Sequence, residues 1–278
     1  MSIAGAGEPA GSFLSARHGR TFCLRHPAGG TRAAIYIAPF AEEMNRSRRM
    51  GTLLAAALAA RGVSALIPDL HGTGESDGDF ADARWSLWIG DLEAAIGAAT
   101  EAGARQVTLI GVRLGALLAL EAARRHPRVV EHIVLWQPVV NGQQFMNQFL
   151  RLKLAAGMRQ TSPSQETTAS LRVRLAAGEG LEVAGYELNH ELVTAIDALN
   201  LATLAAATPP ITWLEVSTAD PPALNPASVR AIENLRASGI AVQASAVAGE
   251  PFWSLQEITI APALVEATVQ AVAPEVRS

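Results

Sequence analysis

Val107-Thr-Leu-Ile-Gly-Val-Arg-Leu-Gly-Ala116 joins an apolar strand to a helix through one sharp turn. Gly111 and Gly115 flank the central residue of that turn, Arg113. So tight a turn brings backbone against backbone, and side chains at the two flanking positions would collide with it. The central residue is then held in a strained conformation and presented at the end of the strand.

Strand and helix signals alternate on both sides of this turn. Short apolar runs predict strands at 13–17, 21–26, 33–38, 64–68, 106–110, 132–136, 211–216 and 241–247. Helical spacing of apolar residues predicts helices at 42–60, 85–100, 114–125, 226–238 and 262–272. Such alternation predicts a doubly wound, mostly parallel sheet, and 278 residues suffice for one large α/β domain.

The alternation stops between 141 and 210. Strand signals are sparse there, and the segment is predicted to be helical with one glycine-punctuated break, AAGEGLEVAGYEL. We expect 1–140 and 211–278 to form the core, and 141–210 to be a helical cap over the carboxyl edge of the sheet. Ligands bind at that edge in open α/β sheets.

The loop DLHGTGES, at 69–76, follows the strand at 64–68. It fits the pattern D-x-x-G-x-G-x-S, and no lysine follows its glycines, which excludes a phosphate-binding P-loop. The turn around Arg113 has the spacing of the nucleophile elbow, G-x-S-x-G. With both motifs in this order, the chain resembles the α/β-hydrolases, and the resemblance implies their fold.

A narrower resemblance rests on three stretches: PFAEEMNRSRR at 39–49, GVRLG at 111–115 and GEPFW at 249–253. Together they resemble the exosortase A system-associated hydrolases of the second type. These are α/β-hydrolase-like proteins of Gram-negative bacteria that are encoded beside exosortase and exopolysaccharide genes. The resemblance covers most of the chain and implies that genetic setting, whereas it implies no substrate.

Serine-hydrolase catalysis requires a nucleophile, a histidine and an acid. The nucleophile position holds Arg113, whose guanidinium stays protonated and cannot attack a carbonyl. The histidine would follow the last strand, where the chain has Glu250 and Trp253 instead, and all six histidines lie earlier. Only the acid has a candidate, Asp220. Ser-His-Asp catalysis is therefore not expected.

A cation at the elbow needs a partner. One interpretation is a plug, in which Arg113 pairs internally with a carboxylate. The candidates by position are Glu42, Glu43, Asp220 and Glu250.

The other interpretation is an anion site. There Arg113, the backbone N–H of Leu114 and an N–H of Phe40 or Ala41 would bind a carboxylate or phosphate. Trp253 would line the floor of the pocket. A partner-docking role for the arginines at 46–49 is the minority interpretation, because Glu42 and Arg46 stand four apart on one solvated helix face.

Composition excludes several classes of protein. The net charge is −4 and no run of like charge is long, so nucleic acid is not expected as a partner. The one cysteine, Cys23, is predicted to be a buried hydrophobe, and neither a metal nor a cofactor is expected. No leader peptide and no membrane-spanning stretch are recognised, which predicts a cytoplasmic protein.

Two functions remain. The leading one is a degenerate hydrolase that acts as a binding or accessory protein, with a small-molecule or anionic ligand or a protein partner; the exosortase setting comes from the resemblance alone. The alternative is a genuine hydrolase of an ester or related acyl substrate. In it Glu43 or Asp220 would activate water while Arg113 stabilises the developing anion.

Overall fold

The structure is a computed structural model and describes residues 7–157 and 166–273. Residues 1–6, which the leader-peptide prediction concerns, and residues 158–165 of the expected cap lie outside it. Ten strands are described: β1 Ala10–Ala16, β2 Gly19–His26, β3 Arg32–Ile37, β4 Val63–Pro68, β5 Gln106–Val112, β6 Val130–Trp136, β7 Leu181–Val183, β8 Tyr186–Leu188, β9 Ile211–Ser217 and β10 Val242–Ala248. The α-helices are α1 Glu42–Ala60, α2 Trp85–Glu101, α3 Gly115–Arg125, α4 Gly142–Gly157, α5 Thr168–Ala176, α6 His190–Asp197, α7 Leu201–Leu204, α8 Pro226–Ala237 and α9 Pro262–Val272.

Eight strands form one sheet in the order β1-β2-β4-β3-β5-β6-β9-β10. β1 and β2 pair antiparallel, as do β2 and β4, and the other neighbours pair parallel. The predicted α/β-hydrolase fold is confirmed. Six neighbouring strands of the sheet run in one direction: β4, β3, β5, β6, β9 and β10. Their carboxyl ends therefore meet at one edge, and the turn after β5 lies in the middle of that edge.

Buried side chains fill both faces of the sheet. α2 and α3 cover one face and α1 and α9 cover the other. Trp85 and Trp88 of α2 belong to this core and are 7% and 3% exposed. Cys23 is fully buried, and burial raises the pKa of its thiol to about 11, so that it is unreactive at neutral pH.

The segment between β6 and β9 contains a short hairpin that was not predicted. Its glycine-punctuated break is not a loop, since β7 and β8 pair there as an antiparallel hairpin. Ala184 and Gly185 form the two-residue turn with φ values of 51° and 84°, the left-handed conformation that suits a tight hairpin. The Tyr186 hydroxyl accepts a hydrogen bond of 3.0 Å from Asn45 of α1, which joins the hairpin to the core.

The loop at 69–76 is held by its own side chains. The Asp69 carboxylate accepts a hydrogen bond of 3.0 Å from the Glu75 N–H. The Ser76 hydroxyl accepts one of 2.8 Å from the Phe22 N–H and donates one of 2.5 Å to the Asp69 carbonyl. Ser76 is therefore fully engaged in tying the loop to β2, and its proton is not available to a base.

We expect the change Ser76→Ala to lower the free energy of unfolding by about 1–2 kcal/mol, because it leaves one donor and one acceptor without partners. Ser86→Ala is the matched control, since Ser86 is exposed on α2 and we expect no measurable change there. Urea unfolding monitored by circular dichroism measures both. Equal stability of the two variants would contradict a structural role for Ser76.

Candidate functional site

The turn after β5 has the geometry of a nucleophile elbow. Arg113 has a φ of 54°, the strained left-handed conformation expected of the central residue. A Cβ added to Gly111 would lie 2.5 Å from the Gly115 carbonyl oxygen. A Cβ added to Gly115 would lie 2.6 Å from the carbonyl oxygen of Ile37. The two glycines are thus required by backbone contacts, as the spacing predicts.

Arg113 is bonded to Glu43 of α1. Its Nε lies 3.3 Å from both carboxylate oxygens of Glu43, and its Nη2 lies 3.2 Å from Oε1. The Arg113 and Glu43 side chains are 20% and 18% exposed, so the pair is largely withdrawn from water. The third nitrogen, Nη1, reaches the Gln137 carbonyl at 3.5 Å. This arrangement matches the plug interpretation.

The segment after β10 supplies an aromatic ring to the same guanidinium. The Arg113 Cζ lies 5.4 Å from the centre of the Trp253 ring, a cation–π contact. Trp253 is 7% exposed and packs edge to face on the fully buried Phe252, with 5.1 Å between ring centres. Where a serine hydrolase would place a histidine beside its nucleophile, this chain places an indole beside a cation.

Burial raises the pKa of the Glu43 carboxyl, and the nearby Arg113 opposes that shift. Desolvation penalises the charged carboxylate, while an adjacent cation favours it. Periodicity could have singled out Glu43 among the four candidate carboxylates. It stands one, two and three helical turns before Ser47, Met50 and Leu54, which belong to the buried stripe of α1.

The other carboxylates proposed for Arg113 lie elsewhere. Glu42 pairs with Arg46 at 3.3 Å, as the four-residue spacing predicts. Asp220, in the loop after β9, and Glu250, after β10, are both exposed. Neither makes a contact with Arg113 among the residues that the structure describes. Of the four acids, the fold brings only Glu43 to the guanidinium.

The backbone N–H groups of Ala41 and Leu114 stand where an oxyanion hole is expected. Within 7–157 and 166–273, neither donates a hydrogen bond. Both residues, with Phe40, line a cavity of about 20 Å³. That volume holds a single water molecule. The cavity alone is too small for an acyl substrate.

Two larger clefts open on either side of Arg113. One, the α8 cleft, has a volume of about 300 Å³; its lining includes Gln137, Asn141, Gln144, Glu215, Asn225 and Ser228. The other, the α1 cleft, has about 250 Å³; its lining includes Glu42, Glu43, Arg46, Leu152, Trp253 and Ser254. Arg113, Phe145 and Gln148 line both. The α4 residues were not among the predicted site residues, since helical periodicity marks Phe145 as core and its neighbours as surface.

No histidine of the described chain lines either cleft. The described residues also hold no group of three or more His, Cys, Asp or Glu side chains that could bind a metal ion. Among the described helices, none combines the length and the apolar character needed to span a bilayer. The described groups that line the clefts beside Arg113 are therefore carboxylates and arginines that are already bonded, together with one indole and several amides and hydroxyls.

Comparison with solved structures gives the same fold at low identity. Est1E from Butyrivibrio proteoclasticus with ferulic acid bound matches with a TM-score of 0.66 and 15% identity, over 94% of this chain and 96% of that one. DcsB in complex with its substrate analogue gives 0.64 and 12%, over 97% and 100%. Alpha/beta hydrolase domain-containing protein 10 from mouse gives 0.59 and 14%, over 95% and 96%.

A comparison with curated protein sequences finds no significant match. Residues 31–211 match the family described as serine aminopeptidase, S33. The matched stretch begins just before β3 and ends at the start of β9, so it includes the elbow and the loop at 69–76. The chain therefore belongs to the serine aminopeptidase S33 family of α/β-hydrolases.

Proposed function

We propose that this protein is a non-hydrolytic member of its family that binds a ligand in the clefts beside Arg113. The single observation that carries the proposal is the bond between Arg113 and Glu43. A permanently protonated side chain stands at the nucleophile position and is already satisfied by a carboxylate of the same chain.

The surroundings of the pair support this function. Acyl transfer needs a group that gives up a proton to become a nucleophile, and a base to accept that proton. The guanidinium cannot do the former, and the segment after β10 offers Trp253 in place of a base. The clefts nevertheless remain open, with volumes of about 300 and 250 Å³. A protein that has lost the chemistry and kept the clefts is suited to binding.

The test is labelling by a fluorophosphonate probe together with hydrolysis of short-chain and long-chain p-nitrophenyl esters. We expect the native protein to neither label nor turn over esters above the background of Arg113→Ala. Arg113→Ser should remain inactive as well, because no histidine lies beside the new hydroxyl. Turnover by the native protein that Arg113→Ala abolishes would overturn the proposal.

One observation favours a second function, a hydrolase without a serine. Glu43 has a raised pKa, lines the α1 cleft and lies against Arg113. A carboxylate so placed is suited to activating water, and the guanidinium to stabilising an oxyanion. Ester turnover by the native protein that falls sharply in both Glu43→Gln and Arg113→Ala would select this function.

The proposed setting is that of the family that the sequence resembles: a cytoplasmic accessory protein of an exosortase and exopolysaccharide system. The support is the resemblance of the stretches at 39–49, 111–115 and 249–253. Deletion of the gene in its host, with exopolysaccharide measured in the medium, tests this setting. Unchanged exopolysaccharide and unchanged protein sorting would contradict it.

A further inference from the structure

The charged groups that line the α8 cleft, Glu215 and Arg113, are already hydrogen-bonded or paired within the protein. Glu215 is 2% exposed. Its Oε1 accepts a hydrogen bond of 2.9 Å from the Trp213 indole, and its Oε2 accepts one of 3.0 Å from the Asn225 N–H. The cation of the cleft, Arg113, is held by Glu43. A charged ligand would have to break one of these arrangements to be paired.

The helix starts at this cleft are occupied too. The Asn141 side-chain oxygen accepts a hydrogen bond of 2.8 Å from the Gln144 N–H in the first turn of α4. The Asn225 oxygen accepts one of 2.9 Å from Ala227 at the start of α8. These caps satisfy N–H groups that would otherwise attract an anion. The charged side chains that line the described cleft are therefore already bonded, and the first turns of α4 and α8 are already capped, so neither attracts a charged ligand.

What remains free in the cleft is neutral and polar. The side chains of Gln144, Gln148 and Ser228 make no hydrogen bond within the described residues, and all three line the cleft. Gln144 and Gln148 stand four apart on α4, which places their Cβ atoms about 5–6 Å apart on one helix face. Each amide offers an acceptor and two donors. Phe145, between them in sequence, adds an apolar side to the same cleft.

We propose that the α8 cleft binds a neutral, polyhydroxylated ligand of the saccharide class. Hydroxyl groups are donors and acceptors at once, so neighbouring hydroxyls on a sugar ring pair with amides in both directions. The C–H face of the ring packs against an aromatic side chain such as Phe145. A volume of about 300 Å³ suits one or two sugar rings. The inference rests on the proposed function, since it takes Arg113 as paired rather than catalytic.

The experiment is isothermal titration of the full chain with cellobiose, N,N′-diacetylchitobiose, digalacturonate and a capped alanine dipeptide. We expect at least one of the two neutral disaccharides to bind saturably, and digalacturonate and the dipeptide to bind more weakly. The changes Gln144→Leu and Gln148→Leu should each weaken binding about 3- to 10-fold, the loss of one or two hydrogen bonds.

Gln143→Leu is the matched control, because Gln143 is exposed on the same turn of α4 and does not line the cleft. We expect native affinity from it. The proposal is overturned if neither neutral disaccharide binds at about 10 mM. Tighter binding of digalacturonate or the dipeptide, or native affinity in both Gln144→Leu and Gln148→Leu, overturns it as well.

Ester hydrolysis measured on the same samples separates the two proposals. Turnover by the native protein together with saccharide binding that depends on Gln144 would overturn the non-hydrolytic function and leave the ligand class standing. Absence of turnover together with absence of saccharide binding would leave the non-hydrolytic function standing and overturn the ligand class.

Discussion

Removing the cation from the elbow should destabilise the protein strongly. Arg113→Met keeps an unbranched stem and leaves the Glu43 carboxylate, 18% exposed, without its partner. Loss of one member of a buried ion pair costs 3–5 kcal/mol, and the residual exposure of this pair reduces the expected loss to about 2–3 kcal/mol. The measurement is the free energy of unfolding in urea near neutral pH.

The loss should depend on pH. The pKa of Glu43 is raised in the folded protein, so the folded state holds its proton more tightly than the unfolded chain. The free energy of unfolding then falls as pH rises from the unfolded pKa through the folded one. Arg113→Met removes the cation that opposes the rise in the Glu43 pKa. The folded-state pKa of Glu43 is then higher still, and the free energy of unfolding continues to fall up to a higher pH. We therefore expect Arg113→Met to differ little from the native protein near pH 4 and most near pH 7.

The double variant Glu43→Leu with Arg113→Met is the control. With both charges gone, an apolar pair of similar volume should recover most of the stability, because replacing a whole buried pair is far less costly than breaking it. A double-mutant cycle built from the two single variants and the double variant measures the coupling free energy between Glu43 and Arg113 directly. If the single and double variants lose the same stability, the pair is not the plug that the geometry indicates.

Gly115→Ala should have a second large effect. The added Cβ would lie 2.6 Å from the Ile37 carbonyl oxygen and 2.7 Å from that of Ala38. Both contacts are with backbone at the end of β3, which cannot move aside without shifting the sheet. We expect a loss of about 3 kcal/mol or more, seen as lower soluble yield and a lower unfolding temperature.

Gly97→Ala is its matched control within a helix. Gly97 lies in α2, and a Cβ there would meet nothing within 4 Å. Alanine is favoured over glycine inside helices, so this variant should gain about 0.5–1 kcal/mol. The two substitutions are chemically the same and should act with opposite signs. Native-like stability in Gly115→Ala would mean that the elbow is looser than described.

The local features of the fold could be predicted because their causes are local. The turn at 111–115 is specified by two glycines within five residues. The short distances from an added Cβ to neighbouring backbone atoms confirm that both positions require glycine. The strands and helices of the core follow from apolar periodicity, which acts within a single element. The hairpin of β7 and β8 was missed because a three-residue strand is too short to show a period, although its Ala184-Gly185 turn was visible.

The sequence by itself determined that an arginine, Arg113, stands between the two elbow glycines and that no histidine follows the last strand, since both are matters of residue identity. Only the tertiary structure decided which carboxylate holds Arg113. Glu43 lies 70 residues from it along the chain. The pairing of β3 with β5 places the start of α1 beside the turn after β5 and so brings the two side chains together. The α8 cleft was likewise decided by tertiary structure. Gln144 and Ser228 lie in the first turns of α4 and α8, Glu215 lies near the end of β9, and only the fold brings these three elements to one cleft.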